Sequence, residues 1–253
     1  MSDPPPPARR PLILFALTDP RVMAEVGGML RVEGYEVVHA PDADATRRAL
    51  RERAPQGLVL STLLPGCDPW RLLVELRAGD RLLPIVMAAP VYIEDDATRA
   101  YRLGADDYIT YALSRAQGMP RIAARFRRLL RPASRSGTGP APAPGPGPAG
   151  AAPAAPGQRI VVDPATRTAR ADGTTLDLTA LEFDLLAAFV TRPERVLSRG
   201  QLLREVWGDD ENADARRVKY AVLRLRHKIA EATGGRTGIA TVRGVGYRYR
   251  PPA

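Results

Sequence analysis

The chain has 253 residues and a formal net charge of +9, with 37 lysines and arginines against 28 aspartates and glutamates. This length allows one or two domains, each able to bury a core. The charge favours an anionic partner, such as nucleic acid, an acidic protein or an anionic membrane. A single cysteine, Cys67, excludes a disulfide framework within one chain and a cysteine-based metal site.

Two further observations bear on location. No apolar run reaches the roughly 20 residues that span a bilayer, and residues 1–10 lack the apolar segment of a signal peptide. Low cysteine usage fits a reducing compartment. We therefore expect a cytoplasmic protein that does not bind a membrane.

A segment rich in Pro, Ala and Gly divides the chain at residues 132–157. It has no periodic apolar pattern, and this composition is typical of a semi-extended tether. The sequence therefore predicts a disordered tail, two domains and a linker between them. Their bounds are 1–10 for the tail, 11–131 for the first domain, 132–157 for the linker and 158–253 for the second domain.

Before the linker, short apolar runs alternate with amphipathic segments. Strands are predicted at residues 11–17, 35–39, 57–60, 84–88 and 107–110. Helices are predicted at residues 21–33, 44–53, 70–77, 95–103 and 121–130. Five strands alternating with five helices indicate βαβ units, and hence an α/β domain with a doubly wound, five-stranded parallel sheet.

After the linker, the pattern is that of a smaller α+β domain. Short strands are predicted at 160–163, 168–170 and 174–177, helices at 179–190, 198–207 and 214–230, and a hairpin at 239–249. Thr179 with Glu182, and Ser198 with Gln201, have the spacing of capping boxes at the starts of the first two helices.

The segment 216–229 has the pattern of an amphipathic helix. Its apolar stripe consists of Val218, Val222, Leu225 and Ile229. The opposite side is predicted to carry Arg217, Tyr220, Arg224 and His227, flanked by Lys219, Leu223 and Arg226. Such a face is either an ordinary solvated surface or a helix that enters a DNA major groove. The helix before it and the hairpin after it, with Arg243 near the tip, favour a winged helix-turn-helix domain that binds duplex DNA.

Three motifs carry a resemblance to the OmpR/PhoB family of winged-helix response regulators: LTALEFDLLAAFVTRPERVLSRGQLLREVWG, RRVKYAVLRLRHKI and TVRGVGYRY. The resemblance implies that Trp207, Arg216 and Thr241 contact phosphates and that Arg224 reads a base. It also implies that Arg243 enters the minor groove and that Arg226 supports backbone contacts.

This chain departs from the family pattern on the recognition helix. Arg217 and Lys219 stand where the family often has Thr or Asp, Tyr220 replaces a Val or a similar residue, and Leu223 replaces a commonly basic one. We predict that Tyr220 and Leu223 contact thymine methyl groups and that Arg224 reads guanine. The predicted DNA-binding set is Trp207, Arg216, Arg217, Lys219, Tyr220, Leu223, Arg224, Arg226, Thr241 and Arg243.

Residues 11–131, with LVLSTLLPGCDPW, PIVMAA and GADDYIT, resemble the receiver domain of response regulators. The resemblance implies two Mg²⁺-binding acids, a phosphoacceptor Asp, a hydroxyl group and a Lys at fixed positions. Here those positions hold Leu17, Thr18, Ser61, Ala89 and Tyr111. Leu17 offers no oxygen to Mg²⁺, and a serine hydroxyl cannot form an acyl phosphate. The sequence therefore predicts a degenerate receiver with no metal and no aspartyl phosphorylation.

The altered pocket has two interpretations: a filled pocket that locks one conformation, or a site for an unidentified small-molecule ligand. Receivers of this family dimerise through the fourth helix, the fifth strand and the last helix. By that resemblance, Asp106, Asp107 and Arg125 are predicted to form ion pairs between two copies. The segment SRAQGMPR adds about four residues before the last helix, which predicts an altered dimer.

The leading functional prediction is a phosphorylation-independent transcription regulator, a homodimer on double-stranded promoter DNA, with RNA polymerase as a further candidate partner. One alternative is a protein-interaction module whose basic helix binds an acidic partner. The other is a regulator that responds to a ligand in the former phosphorylation pocket. No cofactor and no catalytic residue is predicted, because the two histidines, His39 and His227, lie in different domains without a nucleophile or a metal cluster.

Overall fold

The computed structural model describes residues 10–80, 82–111, 160–208 and 214–251. These residues form two compact units, one within residues 1–131 and one within residues 132–253. The predicted linker and the helix predicted at 121–130 lie outside the described residues. Within the described parts of the chain, every helix is too short or too polar to span a bilayer.

The N-terminal unit is a five-stranded, all-parallel sheet in the order β2-β1-β3-β4-β5. Its strands are β1 Leu12–Ala16, β2 Glu36–Ala40, β3 Gly57–Ser61, β4 Ile85–Ala89 and β5 Asp107–Thr110. Its described helices are α1 Pro20–Val32, α2 Ala43–Arg53, α3 Pro69–Gly79 and α4 Glu94–Leu103. The predicted doubly wound parallel fold is confirmed.

The residue types explain where these strands and helices form. β1, β3 and β4 are buried along their whole length, as expected for strands covered on both faces of a parallel sheet. Asp19 and Asp42 begin α1 and α2 by accepting hydrogen bonds from backbone N–H groups of the first turn. The strand order reverses beside β1, so the loops after β1 and β3 flank the crevice where such sheets place their sites.

The C-terminal unit combines two three-stranded sheets with three helical segments. One antiparallel sheet contains β6 Ile160–Asp163, β7 Thr168–Ala171 and β8 Thr174–Thr175. The other contains β9 Val196–Ser198, β10 Ile239–Val242 and β11 Gly246–Tyr249, in the order β10-β11-β9. The helices are α5 Ala180–Val190, α6 Arg199–Leu202 and α7 Arg216–Thr233, and a π-helical turn, Leu203–Trp207, continues α6.

Two details differ from the predicted elements. β9 was not predicted, and it forms because Leu197 and Ser198 pair with Tyr247 and Gly246 of β11. The helix predicted at 198–207 changes to π-helical geometry after Leu202. Both predicted capping boxes are confirmed, at Thr179 and Glu182 and at Ser198 and Gln201.

Candidate nucleic-acid interface

Helix α7 docks on the C-terminal core through the predicted apolar stripe. Its four members are at most 1% exposed: Val218, Val222, Leu225 and Ile229. They pack α7 against α5, and burial of four such side chains stabilises the contact by several kcal/mol in all, at roughly 1.5–3 kcal/mol each. The opposite side of α7 is therefore held outward on a rigid support.

The outward side of α7 is a line of three residues at four-residue spacing. Lys219 is exposed, Leu223 is 58% exposed, and the His227 side chain is 73% exposed. His227 Nε2 lies 3.1 Å from Glu231 Oε1, one turn further along the helix. This line, which we call the outer face of α7, presents a cation, an apolar group and an imidazole to solvent.

Two residues predicted to point outward are buried instead. Arg217 is only 6% exposed and Tyr220 only 5% exposed, because both adjoin the apolar stripe rather than the outer face. Lys219 Nζ lies 5.4 Å from the centroid of the Tyr220 ring. The predicted outward orientation of Arg217 and Tyr220 is therefore wrong in this structure, whereas their predicted contacts with DNA stay predictions.

A buried carboxylate, Glu182 of α5, ties two cations of α7 to the core. Its Oε1 accepts a hydrogen bond from Arg224 Nε at 3.1 Å, and its Oε2 accepts one from Lys228 Nζ at 2.6 Å. Oε2 also accepts from the backbone N–H of Thr179 at 3.0 Å, which completes the capping box. Burial alone would raise the pKa of Glu182. The charges of Lys228 and Arg224 and the hydrogen bonds outweigh burial and hold that pKa at about 2.

Sequence reasoning identified Glu182 only as a helix cap and missed its role under α7. A signal was present, because Arg224 and Lys228 lie one turn apart on the same side of the helix. A carboxylate that is buried in a mostly apolar helix also requires a cationic partner.

Arg226 joins α7 to the hairpin formed by β10 and β11, and its implied support of DNA-backbone contacts stays a prediction. Its Nε donates to the backbone oxygen of Ile239 at 3.0 Å, and its Nη2 donates to Thr241 Oγ1 at 2.9 Å. The guanidinium carbon lies 5.8 Å from the centroid of the Tyr247 ring. The hairpin turn, which contains Arg243, is exposed next to this contact.

The phosphate contacts implied for Trp207 and Arg216 stay predictions. The Trp207 side chain is buried, and its indole N–H has no hydrogen-bond partner among the described residues. Arg216 lies at the start of α7 with its side chain about one-quarter exposed, and its Nε donates to Asp214 Oδ1 at 2.8 Å.

In the N-terminal unit, the five predicted pocket positions lie at or just after the carboxyl ends of β1, β3, β4 and β5. Leu17, Ser61 and Ala89 are buried, whereas Thr18 is exposed. The Tyr111 side chain forms a hydrogen bond with Ser61, whose Oγ also accepts from the backbone N–H of Leu63 at 3.0 Å. Burial raises the pKa of Tyr111, and the Ser61 hydrogen bond only partly offsets this.

These residues do not fit the Mg²⁺ that receiver domains hold. Leu17 supplies no oxygen and Ser61 bonds to Tyr111, whereas Mg²⁺ requires carboxylate oxygens. The nearby Asp19 caps α1, with Oδ1 accepting from the backbone N–H of Arg21 at 2.9 Å and of Val22 at 3.3 Å. Among the described residues, no three His, Cys, Asp or Glu side chains are grouped closely enough to hold a metal ion.

Asp106 and Asp107, which the sequence predicts to form ion pairs between two copies, bond within their own unit in this structure, and the contact between copies stays a prediction. Both carboxylates are at most 2% exposed. Asp106 Oδ2 accepts from Arg77 Nη2 and from the backbone N–H of Ile85, each at 2.9 Å, and Asp107 Oδ1 accepts from the backbone N–H of Tyr108 at 2.7 Å. These aspartates hold their own unit together, and Arg125 lies outside the described residues.

Two family models match the chain. The model described as "Response regulator receiver domain" matches residues 13–123, and the model described as "Transcriptional regulatory protein, C terminal" matches residues 173–249. The chain is 35% identical over 240 residues to the transcriptional regulatory protein PrrA of Mycobacterium tuberculosis, covering 95% of this chain and 96% of PrrA. It is 33% identical to AfsQ1 of Streptomyces coelicolor, covering 96% and 99% of the two chains.

A third relative, the phosphate regulon regulatory protein PhoB of Escherichia coli, is 33% identical over 87% of this chain and 90% of its own. Among solved structures, a mutant form of RitR superposes with a TM-score of 0.61 at 21% identity, covering 95% of this chain and 99% of that chain. That likeness supports the fold. The chain belongs to the OmpR/PhoB family of two-component response regulators, which regulate transcription by binding DNA through a C-terminal winged-helix domain.

Proposed function

We propose that this chain regulates transcription without aspartyl phosphorylation, as a homodimer on promoter sites in the cytoplasm. The observation that carries this proposal is the set of residues at the pocket positions, where by the family resemblance buried Leu17 and Ser61 stand in place of carboxylates and Tyr111 in place of Lys. A serine hydroxyl cannot form an acyl phosphate. With Leu17 in place of an acid and Tyr111 in place of Lys, the residues at these positions cannot neutralise the charge of a transferred phosphoryl group.

The outer face of α7 supports sequence-specific binding in the major groove. Lys219 and Leu223 are exposed on this face, and Arg224 follows Leu223 on the helix. We assign phosphate contacts to Arg216 and Thr241, and exposed Arg243 on the hairpin suits the negative potential of a narrow minor groove. Direct-repeat half-sites and contact with RNA polymerase belong to this proposal by analogy with the family.

Phosphodonors are expected to leave DNA binding unchanged, because the pocket lacks an acceptor carboxylate. The test incubates the purified protein with acetyl phosphate or with beryllofluoride and Mg²⁺, then measures its Kd for a selected DNA site. A related receiver that has the acid pair and the acceptor Asp is the positive control. A covalent phosphoryl group on this chain, accompanied by a changed Kd, would refute phosphorylation independence.

Leu223→Ala is expected to lower the preference for one thymine-containing base pair by about 1 kcal/mol, or roughly fivefold, because an exposed apolar side chain loses its contact with the C5 methyl group. Binding to sites with thymine or uracil at that position measures the effect. Val161→Ala, which truncates a similarly exposed residue on β6, is the matched control. An equal loss on both sites would contradict the methyl contact.

Selection of DNA sequences by the full chain separates the proposal from the interaction-module alternative. A defined motif supports a sequence-specific regulator. Binding that is only nonspecific and strongly salt-dependent would favour an acidic protein as the partner of α7. The burial of Leu17, Ser61 and Ala89 supports a filled pocket over a ligand-responsive one.

A further inference from the structure

We infer that Glu182 is a positioning residue for base recognition, which orients the Arg224 guanidinium so that its terminal nitrogens face the major groove. This inference rests on the proposed function, because it concerns how the same helix reads DNA. It goes further in assigning part of the sequence specificity to a residue of α5 that is 1% exposed and does not touch DNA.

The first step is that the carboxylate itself is held in place. Glu182 occupies the third position of α5, where its backbone N–H donates to Thr179 Oγ1 at 3.2 Å and its Oε2 accepts from the Thr179 N–H at 3.0 Å. Lys228 Nζ, which also donates to the backbone oxygen of Asp177 at 2.7 Å, holds the same oxygen. A buried side chain with these partners cannot change rotamer without losing several hydrogen bonds.

The second step is that the two carboxylate oxygens have different partners. Oε2 accepts from the Thr179 N–H of the helix cap and from Lys228 Nζ, whereas Oε1 accepts from Arg224 Nε at 3.1 Å. Because Nε is the nitrogen nearest the stem of the arginine, a bond there fixes the plane of the guanidinium. The two terminal nitrogens lie at the far end of that plane, which is the end-on geometry for bidentate bonds to guanine O6 and N7.

The third step concerns charge and entropy. Two cations share one carboxylate, so the cluster of Glu182, Arg224 and Lys228 keeps one net positive charge next to the DNA-facing side of α7. The low pKa of Glu182 keeps the carboxylate ionised at neutral pH. An arginine that is already oriented loses less side-chain entropy on binding than a mobile one, which strengthens discrimination between bases.

The test compares full-length wild type with Glu182→Gln, Arg224→Ala, the double variant and Lys228→Gln. Lys228→Gln is the matched control, because it removes a partner of the same carboxylate without touching Arg224. The measurement is the base preference at every position of a DNA site selected by the wild type, made at a temperature where circular dichroism shows each variant folded.

We expect Glu182→Gln to lower the preference at one G·C pair by roughly tenfold, at the same pair where Arg224→Ala acts, and to leave the preferences at other pairs unchanged. The double variant should lose no more than Arg224→Ala alone, and Lys228→Gln should keep the wild-type profile.

Three outcomes would overturn the inference. Uniform weakening by Glu182→Gln across all sequences would show a structural role alone, and a sharper preference would show that Glu182 withholds Arg224 from DNA. A change at the same pair in Lys228→Gln would trace the effect to loss of charge balance. If the wild type itself selects no sequence, the proposed function fails instead, so the two failures are distinguishable.

Discussion

Glu182→Ala is expected to destabilise the C-terminal unit by about 3–5 kcal/mol. Among the described residues, Glu182 is the only carboxylate that pairs with Lys228, and the substitution also breaks its buried ion pair with Arg224. It also removes half of a capping box. Denaturant unfolding followed by Trp207 fluorescence in a Trp70→Phe background measures the change, since these are the chain's two tryptophans.

The destabilisation should depend on pH in a defined direction. The folded-state pKa of Glu182 is lowered from its ordinary value of 4.5 to about 2, which is equivalent to about 3 kcal/mol. A carboxylate with a lowered pKa contributes this stability in full above its unfolded-state pKa and loses it as the pH falls through the folded-state value. The difference between the wild type and Glu182→Ala should therefore be constant at neutral pH and shrink between about pH 4.5 and pH 2.

Glu205→Ala is the control variant, because it breaks a surface ion pair in the same unit. Glu205 pairs with Arg192 on partly exposed side chains, and such pairs contribute under about 1 kcal/mol. If Glu182→Ala cost no more than Glu205→Ala, the ion pairs of Glu182 would not contribute to stability as the structure indicates.

Local patterns were sufficient to predict most of the fold. Nearly continuous apolar runs indicated β1, β3 and β4 to within one residue, because strands covered on both faces are apolar throughout. The strand β9 was missed because three residues are too few to show an alternation of apolar and polar side chains. Val196, Leu197 and Ser198 become a strand only through pairing with β11, some fifty residues away in sequence.

The site was predicted in part, and the errors have a common physical cause. A helical period places Val218 and Leu225 inward, but it does not say how wide the buried face is. Arg217 and Tyr220 lie at its edge, where neighbouring elements decide their burial. The Arg224–Glu182 pair joins residues 42 positions apart, so the spacing of Arg224 and Lys228 indicates that they share a side of α7 but does not identify their partner.

The altered receiver pocket is a prediction from residue identity at fixed motif positions. By the family resemblance, Ser61 and Tyr111 stand where the pattern has an Asp and a Lys. The burial of Ser61 depends on how the fold packs the end of β3, which the motifs do not report. The GADDY motif likewise does not report that Asp106 and Asp107 are buried and bond within their own unit.

Gly246→Ala is expected to separate the hairpin from β9 and to destabilise the C-terminal unit by about 3 kcal/mol. An added Cβ would lie 2.0 Å from the Leu197 backbone oxygen and 2.9 Å from both Leu197 C and Ser198 Cα. All three are backbone atoms, so no side-chain rotation can relieve the clash. Gly246 pairs with Ser198 on one side and with Val242 on the other, so β11 must move away from β9.

Because the hairpin carries Thr241 and Arg243, the same substitution should weaken DNA binding by roughly tenfold through lost phosphate and minor-groove contacts. Gly244→Asn is the control. Gly244 has a φ of +75°, and a Cβ added there would meet no described atom within 4 Å. Asn tolerates this backbone region, so the expected cost is under about 1 kcal/mol. Equal stability and affinity for both variants would mean that β9 and β11 do not pair in solution. Gly244 lies in the turn and Gly246 follows it, so the two glycines differ mainly in their distance from the β9 backbone. A loss of affinity confined to Gly246→Ala would therefore show that the position of Arg243 depends on the pairing of β9 with β11.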